Sequence, residues 1–262
     1  MKIITFLTDF GVHDSYVAQM KGVAAGITST QLIDITHAIT PHNIREGAFI
    51  LQSAVPYFPV GTIHVAVVDP GVGTDRKGLI ITTPNHVLVG PDNGLLLPAA
   101  HLLDTFTVYE ITNTQFMMSS PSNTFHGRDI FTPIAAHIAR GVPFQELGTQ
   151  TDTFIDLSFG QAVYNEKSVT GKVIYCDGFG NIITNIAGMQ LLKTLKFKKK
   201  VMAFIGENPY EIPFVPAYGF VKKGTIVGTI GSSHFFEIGI NQGNAAKKLK
   251  IKEDETIKLL FS

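Results

Sequence analysis

The hydrophobic pattern of this chain changes near residue 160, which limits the folds that the sequence can adopt. Before this point, apolar runs typical of strands alternate with segments of helical periodicity. After it, short β-rich runs are separated by Gly, Asn and Pro turns. Alternating strands and helices favour a parallel sheet covered by helices, whereas many short strands favour a barrel or a sandwich. We therefore predict an α/β chain with an N-terminal domain, 1–160, and a smaller C-terminal β domain, 170–262.

The N-terminal half is predicted to form a mostly parallel sheet with helices packed on it. Asp14 is expected to cap the first helix, and Asn43 is expected to cap the second, with Glu46 at the third helical position. The predicted strands are Ile3–Leu7, Leu32–Ile35, Ile63–Asp69, Leu79–Thr82 and Val87–Val89, and further helices are expected over Leu95–Leu103 and Asp129–Arg140.

The C-terminal part has candidate strands at Lys172–Tyr175, Ile182–Asn185, Val201–Ile205 and Thr225–Ile230, which predict a small β-barrel or sandwich. The two parts also differ in charge, since residues 1–160 hold 7 Lys and Arg against 13 Asp and Glu, and the rest hold 14 against 8. Lysine clusters at 196–200 and 247–250 are interpreted as solvated edges. A nucleic-acid surface is the alternative interpretation, but we expect no nucleic-acid partner.

Composition disfavours several classes of protein. The 262 residues include no run of about 18 uncharged apolar residues, and the first apolar segment is too short for a signal peptide. The single cysteine, Cys176, rules out an intrachain disulfide and a cysteine-rich metal site. We therefore expect a cytoplasmic protein with no membrane segment. Dinucleotide fingerprints are incomplete and a phosphate loop is missing, which disfavours a phosphate-centred function.

A buried strand is predicted to end at Asp69, and a Pro/Gly loop follows it and ends at Arg76. In α/β proteins, ligands bind in the crevice beyond the carboxyl ends of the strands. Asp69 is therefore expected to face a ligand and to pair with Arg76 across the loop. His126 alone is interpreted as a helix cap or a packed side chain. Together with Asp69 and Arg76, it becomes a catalytic candidate.

Three other polar segments have a structural interpretation as turns. Asp9 either forms a turn after the first strand or accepts both hydrogen bonds of a ribose diol. The segment Asp177–Asn181 is either a turn between strands or a ligand site, where Phe179 offers a stacking face and Asn181 an adenine-edge donor and acceptor. Asp92-Asn93-Gly94 is interpreted as a turn.

Seven groups of motifs follow one another along nearly the whole chain. They are Thr8-Asp9-Phe10-Gly11 with Asp14, Thr40-Pro41 before Glu46-Gly47-Ala48, Val68-Asp69-Pro70-Gly71-Val72-Gly73, Pro91-Asp92-Asn93-Gly94-Leu95, Phe125-His126-Gly127-Arg128-Asp129, Asp177-Gly178-Phe179-Gly180-Asn181, and Gly231-Ser232-Ser233 through Asn241-Gln242-Gly243-Asn244-Ala245. In this order and spacing, they resemble the S-adenosylmethionine (SAM) hydroxide adenosyltransferases, relatives of the fluorinating and chlorinating enzymes. The resemblance implies hydrolysis of SAM to adenosine and methionine, by attack of water on the ribose C5′ carbon.

The resemblance also implies a role for each candidate residue. Asp69, Arg76 and His126 match the water-activating residues of the family. The implied substrate-binding residues are Asp9, Asp177, Phe179, Asn181, Ser232, Ser233 and Glu237. At one of these positions the chain differs from the halogenating relatives, which have an arginine in place of Ser233. SAM is the implied substrate, with no metal and no cofactor. The implied assembly is a homotrimer with sites at subunit interfaces.

Three alternatives stay open. In an adenosyl-halide synthase, the carboxylate of Asp69 would repel a halide by roughly 4 kcal/mol at about 4 Å and an effective dielectric near 20, which disfavours this reaction. A metal-dependent hydrolase would use carboxylates and an imidazole as ligands, from Asp9, Asp69, Asp92, His126 and Asp129. A non-catalytic adenosine or SAM sensor would keep Asp9 and Asn181 and form no product.

Overall fold

The computed structural model describes residues 2–206 and 208–261, which form two compact units divided in sequence between Ser158 and Phe159. None of the described helices is long and apolar enough to cross a membrane.

The first unit is built on one seven-stranded sheet. Its strands are β1 (Ile3–Thr8), β2 (Gln31–Thr36), β3 (Thr62–Val67), β4 (Gly78–Thr82), β5 (His86–Pro91), β6 (Thr107–Ile111) and β7 (Gly148–Gln150). The order is β2-β1-β3-β5-β4-β6-β7. Because β2, β1, β3 and β5 are parallel and only β4 and β7 are reversed, five of the seven strands point the same way. The predicted mostly parallel sheet is confirmed.

Helices cover this sheet, as the alternating pattern predicts. They are α1 (Tyr16–Ile27), α2 (Ile44–Ala54), α3 (Leu97–Leu102), α4 (Thr132–Ala139) and α5 (Phe144–Leu147), with a π-helix at Gly127–Phe131 and 3-10 turns at Val55–Tyr57 and Thr114–Phe116. Residues from β1, β3 and α4 share one buried core, including Phe6, Val65 and Ile134. Burial of these apolar faces is the main stabilising contribution to such a layered unit.

The two predicted helix caps have different outcomes. Asn43 precedes α2 and its side chain accepts a hydrogen bond from the backbone N–H of Glu46 at 3.1 Å, which confirms the predicted cap. The predicted cap by Asp14 is wrong, because α1 begins at Tyr16 and Ser15 occupies the N-cap position. The carbonyl oxygen of Ser15 accepts the first helical hydrogen bond, from Gln19. Asp14 is therefore one residue too early to cap the helix.

The second unit is a closed β-barrel. Its strands are β8 (Val163–Asn165), β9 (Ser168–Cys176), β10 (Ile182–Ala187), β11 (Lys199–Ile205), β12 (Asn208–Phe214), β13 (Ile226–Ile230), β14 (Phe235–Ile240) and β15 (Thr256–Leu260). They follow the order β10-β14-β13-β12-β11-β15-β9-β8, and pairing of β10 with β9 closes a ring of seven strands. The barrel prediction is thus confirmed over the sandwich.

Short helical segments and turns complete the second unit. These are α6 (Gly188–Thr194), α7 (Ala245–Leu249) and a 3-10 turn at Tyr218–Phe220. Apolar side chains from most strands meet inside the barrel, among them Val173, Val201, Phe214 and Phe236. Closure of the ring leaves few open strand edges.

Candidate active site

The loop after β3 brings Asp69 and Arg76 together, as the sequence predicts. Arg76 donates two hydrogen bonds to the Asp69 carboxylate, from Nε to Oδ1 at 3.1 Å and from Nη2 to Oδ2 at 2.5 Å. The Asp69 side chain is 5% exposed and that of Arg76 is 9% exposed. A two-point guanidinium contact fixes the plane of the carboxylate.

His126 joins this pair through Arg76. Nη2 of Arg76 lies 2.9 Å from Nδ1 of His126. Because arginine only donates, Nδ1 accepts and the proton of a neutral ring resides on Nε2. Burial lowers the pKa of His126, and the charge of Arg76 lowers it further, against the opposite effect of Asp69 and Asp129. The neutral form of the ring is therefore favoured.

Two features outside the predicted site hold the Asp69 loop in place. Asn93 donates from Nδ2 to the carbonyl oxygen of Val68 at 2.8 Å, directly before Asp69. Gly73 has φ of +78°, and a methyl group there would lie 2.3 Å from the carbonyl oxygen of Asn123. Gly73 thus lets the loop pack against the segment that leads to His126. The sequence predicts only a turn at Asn93, because the hydrogen-bond partner of its side chain lies 25 positions away.

Asp129 anchors the segment that presents His126. It is buried, and it accepts hydrogen bonds from Nε of Arg128 at 2.6 Å and from the backbone N–H of Ser122 at 2.8 Å. Burial raises the pKa of Asp129, but the hydrogen bonds from Arg128 and Ser122 outweigh burial and lower it. His126 itself immediately precedes the π-helix, a type of turn frequent at functional sites.

Asp9 lies at the same edge of the sheet as Asp69. Thr8 at the end of β1 pairs with Val67 at the end of β3, and Asp9 and Asp69 follow one and two residues later. Oδ2 of Asp9 accepts a hydrogen bond from the backbone N–H of His42 at 2.9 Å. The two acids thus follow the same ends of neighbouring parallel strands, where ligands commonly bind in α/β proteins.

The acids considered as metal ligands are engaged elsewhere. Asp92 accepts from the backbone N–H of Ile155 at 2.8 Å, and Asp129 is paired with Arg128. Over residues 2–206 and 208–261, no three His, Cys, Asp or Glu side chains are grouped so that they could hold a metal ion. Asp92 therefore serves to fix the chain beyond β7.

The remaining candidates lie in the second unit. Asp177 organises the turn between β9 and β10, where Oδ1 accepts from the backbone N–H groups of Phe179 at 3.0 Å and Asn181 at 2.8 Å. Oδ2 of Asp177 accepts from Nδ2 of Asn181 at 2.9 Å. Asp177 therefore stabilises the turn that carries Phe179 and Asn181. The ring of Phe179 is 82% exposed, so it is available for stacking.

Glu237 is buried and pairs with a residue that the sequence did not single out. The hydroxyl of Tyr218 donates to Oε1 of Glu237. Burial raises the pKa of Glu237, and the nearby charge of Asp177 raises it too, against the lowering effect of Tyr218. Gly231 lies directly against this carboxylate, and Ser232 and Ser233 follow in the turn between β13 and β14. In the sequence, the short Tyr-Gly-Phe segment after Pro216 is the one local feature that could have drawn attention to Tyr218.

Comparison with known proteins agrees with these two units. The chain matches the family models of the SAM hydroxide adenosyltransferase N-terminal domain over residues 4–148 and C-terminal domain over residues 171–258. It is 36% identical over 260 residues to a Salinispora tropica protein named (R)-S-adenosyl-L-methionine hydrolase, covering 98% of this chain and 97% of the relative.

More distant and structural relatives extend this result. A fluorinase from an Actinoplanes species is 24% identical over 286 residues, covering 97% of this chain and 96% of the relative. The crystal structure of an uncharacterized conserved protein from Thermotoga maritima is 37% identical, with a TM-score of 0.92, covering 98% of this chain and 99% of the other. The chain therefore belongs to the SAM hydroxide adenosyltransferase family of enzymes.

Proposed function

We propose that this enzyme hydrolyses SAM to adenosine and methionine. The oxygen of water forms a bond to the ribose C5′ carbon while the bond from C5′ to sulfur breaks. The bonding electrons leave with sulfur, which departs as the neutral thioether of methionine, and the water loses one proton. Family membership and relatives named (R)-S-adenosyl-L-methionine hydrolase support the proposal.

The observation that carries the proposal is the bridge that Arg76 forms between Asp69 and His126. A sulfonium leaving group is already cationic, so water is the reactant that needs help. A held carboxylate accepts a hydrogen bond from water, which orients the molecule and raises its nucleophilicity. Fixing the reactants in line supplies much of the remaining acceleration, as effective molarities of about 10⁵ to 10⁸ M indicate.

We assign proton acceptance to Asp69 and a donor role to His126. Nδ1 of His126 is occupied by Arg76, and Nε2 of the neutral ring carries the proton. His126 is therefore suited to donate from Nε2 to the oxygen of water or hydroxide. The oxygens of Asp69 keep lone pairs beyond those used by Arg76, so this carboxylate is the acceptor.

Halide transfer is the less favoured reaction for this site. The Asp69 carboxylate lies almost fully inside the protein, where a second anion is repelled more strongly than in water. The named hydrolase is also more similar to this chain than the fluorinase, at 36% against 24% identity. We therefore favour water over halide as the nucleophile.

Substrate contacts are proposed for both units. Asp9 is assigned to the ribose diol, because it lies at the same sheet edge as Asp69 and its carboxylate can accept two hydrogen bonds. Phe179 and Asn181 are assigned to the adenine, Asp177 to the methionine ammonium, and Ser232 and Ser233 to the methionine carboxylate. Glu237 is proposed to support this group from its buried position beside Gly231.

The proposal also covers which sulfonium epimer of SAM the enzyme prefers. Relatives at 34–36% identity are named hydrolases of the (R) form of SAM. We propose the same preference here, which would remove an epimer that methyltransferases cannot use. Turnover of the two separated epimers decides this, since equal rates or a faster reaction of the (S) form would contradict it.

Incubation of the purified enzyme with SAM, followed by chromatography, tests the proposed function. Formation of adenosine and methionine in equal amounts is expected, and a chelator is expected not to change the rate. Binding of SAM without product would indicate a sensor, and loss of activity with the chelator would indicate a metal-dependent hydrolase. A 5′-chloro product in the presence of chloride would indicate a halide synthase.

A further inference from the structure

A chain of four polar side chains leads from the surface of the first unit to the end of β1. Lys21 donates from Nζ to Oδ2 of Asp34 at 2.6 Å. Oδ1 of Asp34 lies 3.0 Å from Nε2 of His37, and Nδ1 of His37 lies 2.8 Å from Oγ1 of Thr8. Thr8 and His37 are buried. The proposed hydrolysis does not use this chain of contacts.

The carboxylate in this chain favours its ionised form. Burial raises the pKa of Asp34, but the hydrogen bonds from Lys21 and His37 outweigh burial and lower it. Asp34 lies within ion-pair distance of Nε2 of His37, and Nδ1 of the same ring faces Thr8. The hydrogen bond to Thr8 is therefore the contact that fixes the imidazole ring.

Hydroxyl, imidazole and carboxylate follow one another here as in a nucleophilic triad. A nucleophile has to reach its substrate, yet Thr8 is 0% exposed. Its Oγ1 also accepts a hydrogen bond from the backbone N–H of Phe10 at 3.2 Å, which leaves the hydroxyl hydrogen for Nδ1 of His37. The geometry therefore fits a structural connection and not an attacking group.

His37 also holds the chain that follows Thr8 at a second point. Its carbonyl oxygen accepts from the backbone N–H of Gly11 at 2.8 Å. Pairing of Leu7 with Thr36 places Thr8 and His37 side by side at the ends of β1 and β2. The segment between Thr8 and Gly11, which contains Asp9, is thus fixed at both ends by one histidine.

We propose that Thr8 and His37 are positioning residues that hold Asp9 where it receives the ribose of the substrate. This inference rests on the proposed function, because the ribose contact of Asp9 is part of that function. A free loop would have to be ordered at each binding event, which weakens binding. The reacting water is held by Asp69, so the chemical step is expected to be independent of this contact.

Thr8→Val is the central variant, because it removes the hydroxyl and keeps the shape of the side chain. Thr8→Ser keeps the hydroxyl and serves as the conservative variant. Thr5→Val is a matched control, since Thr5 is also buried in β1 and its Oγ1 lies 2.8 Å from Nδ1 of another buried histidine, His64. Thr5→Val therefore removes a hydrogen bond between a threonine hydroxyl and a histidine ring, as Thr8→Val does, but at a position farther along β1 from Asp9.

We expect Thr8→Val to raise KM for SAM about tenfold or more, because it removes both hydrogen bonds of the hydroxyl, with His37 and from Phe10, while kcat stays nearly unchanged. Thr8→Ser is expected to restore KM, and Thr5→Val is expected to lower Tm without changing KM. Equal KM values for Thr8→Val and Thr5→Val would overturn the proposal.

Hydrogen exchange separates this proposal from the proposed function. The amides of Phe10 and Gly11 are expected to exchange faster in Thr8→Val than in the unchanged protein and in Thr5→Val. If the unchanged enzyme forms no adenosine, the proposed function is wrong and the exchange rates still decide whether Thr8 fixes this loop. Unchanged exchange at both amides would overturn the positioning role.

Discussion

Nη2 of Arg76 donates a hydrogen bond to Nδ1 of His126, with 2.9 Å between the two nitrogens. This single contact connects the loop after β3 to the segment before the π-helix. It also decides which nitrogen of His126 carries the proton. The chemical roles that we propose for Asp69 and His126 therefore depend on Arg76.

Replacement Arg76→Gln is expected to raise the pKa of His126. Burial and the Arg76 charge lower this pKa, whereas Asp69 and Asp129 raise it. Removing the positive charge of Arg76 therefore leaves the effect of the two carboxylates larger relative to the lowering effects, and the pKa rises. An NMR titration of the ring Cε1–H measures the change. Arg140→Gln is the control, because Arg140 lowers the pKa of His137 instead. An unchanged His126 pKa in Arg76→Gln would contradict the proposed bridge.

Replacement Asp69→Asn is expected to lower kcat by about 10²-fold or more, the usual contribution of an acid–base group, with little change in KM. The amide has nearly the shape of the carboxylate but accepts a proton far less readily. Steady-state kinetics with SAM measure both constants. Asp75→Asn is the control, because Asp75 is an exposed acid in the same loop. Equal kcat values for the two variants would contradict the role of Asp69.

Replacement Gly73→Ala is expected to lower kcat together with Tm. A methyl group at Gly73 would lie 2.3 Å from the carbonyl oxygen of Asn123, and the φ of +78° is strained for alanine. The loop that carries Asp69 and Arg76 must then shift away from His126. Gly22→Ala in α1 is the control, where a methyl group meets nothing within 4 Å and is expected to stabilise the helix by about 0.5–1 kcal/mol.

The stability of the first unit is expected to fall with acid because of His64. Burial lowers the pKa of this histidine from 6.5 to about 3, with a smaller effect from His86. Its stabilising contribution is complete above 6.5 and is lost as the pH falls through that value towards 3, because only the unfolded chain then binds the proton.

The expected slope is about 1.4 kcal/mol of unfolding free energy per pH unit in this window. Urea unfolding at several pH values measures this slope. His64→Gln is expected to reduce it, whereas replacement of the exposed His13 by Gln is expected to leave it unchanged. The same slope in both variants would rule out His64 as the origin.

The homotrimer that the family resemblance implies predicts recovery of activity in mixtures of two variants. If each site draws residues from two subunits, chains with Asp69→Asn and chains with Asn181→Ala should form active sites when refolded together. Sedimentation checks the trimer and chromatography measures adenosine. A monomer with full activity, or mixed trimers without recovery, would contradict shared sites.

Sequence patterns predict this fold well where the interacting residues lie close together in the chain. The Asn43 cap is confirmed because donor and acceptor lie three residues apart. The Asp14 cap is wrong because several polar residues precede α1, and the helix begins one residue later than a cap at Asp14 requires. Closure of the barrel by β9 and β10 depends on pairings among all seven ring strands, many of which are far apart in the sequence. Sequence patterns therefore do not distinguish a barrel from a sandwich.

In the candidate site too, short-range contacts are predicted from the sequence and long-range contacts are not. Pairing of Asp69 with Arg76 follows from a short loop at the end of a strand. The hydrogen bonds from Asn93 to Val68 and from Tyr218 to Glu237 join segments that are far apart in the sequence, so local patterns do not predict either pairing. Positions that act through tertiary contacts are therefore the part of the site that sequence reasoning misses.

Hydrolysis of SAM in water enriched in oxygen-18 tests the central claim most directly. Attack of water on C5′ places the heavy oxygen in the 5′-hydroxyl of adenosine, and mass spectrometry of the product detects it. We predict one oxygen-18 in adenosine, none in methionine, and loss of the labelled product in Asp69→Asn. Unlabelled adenosine, label in methionine, or no adenosine at all would contradict the proposed reaction.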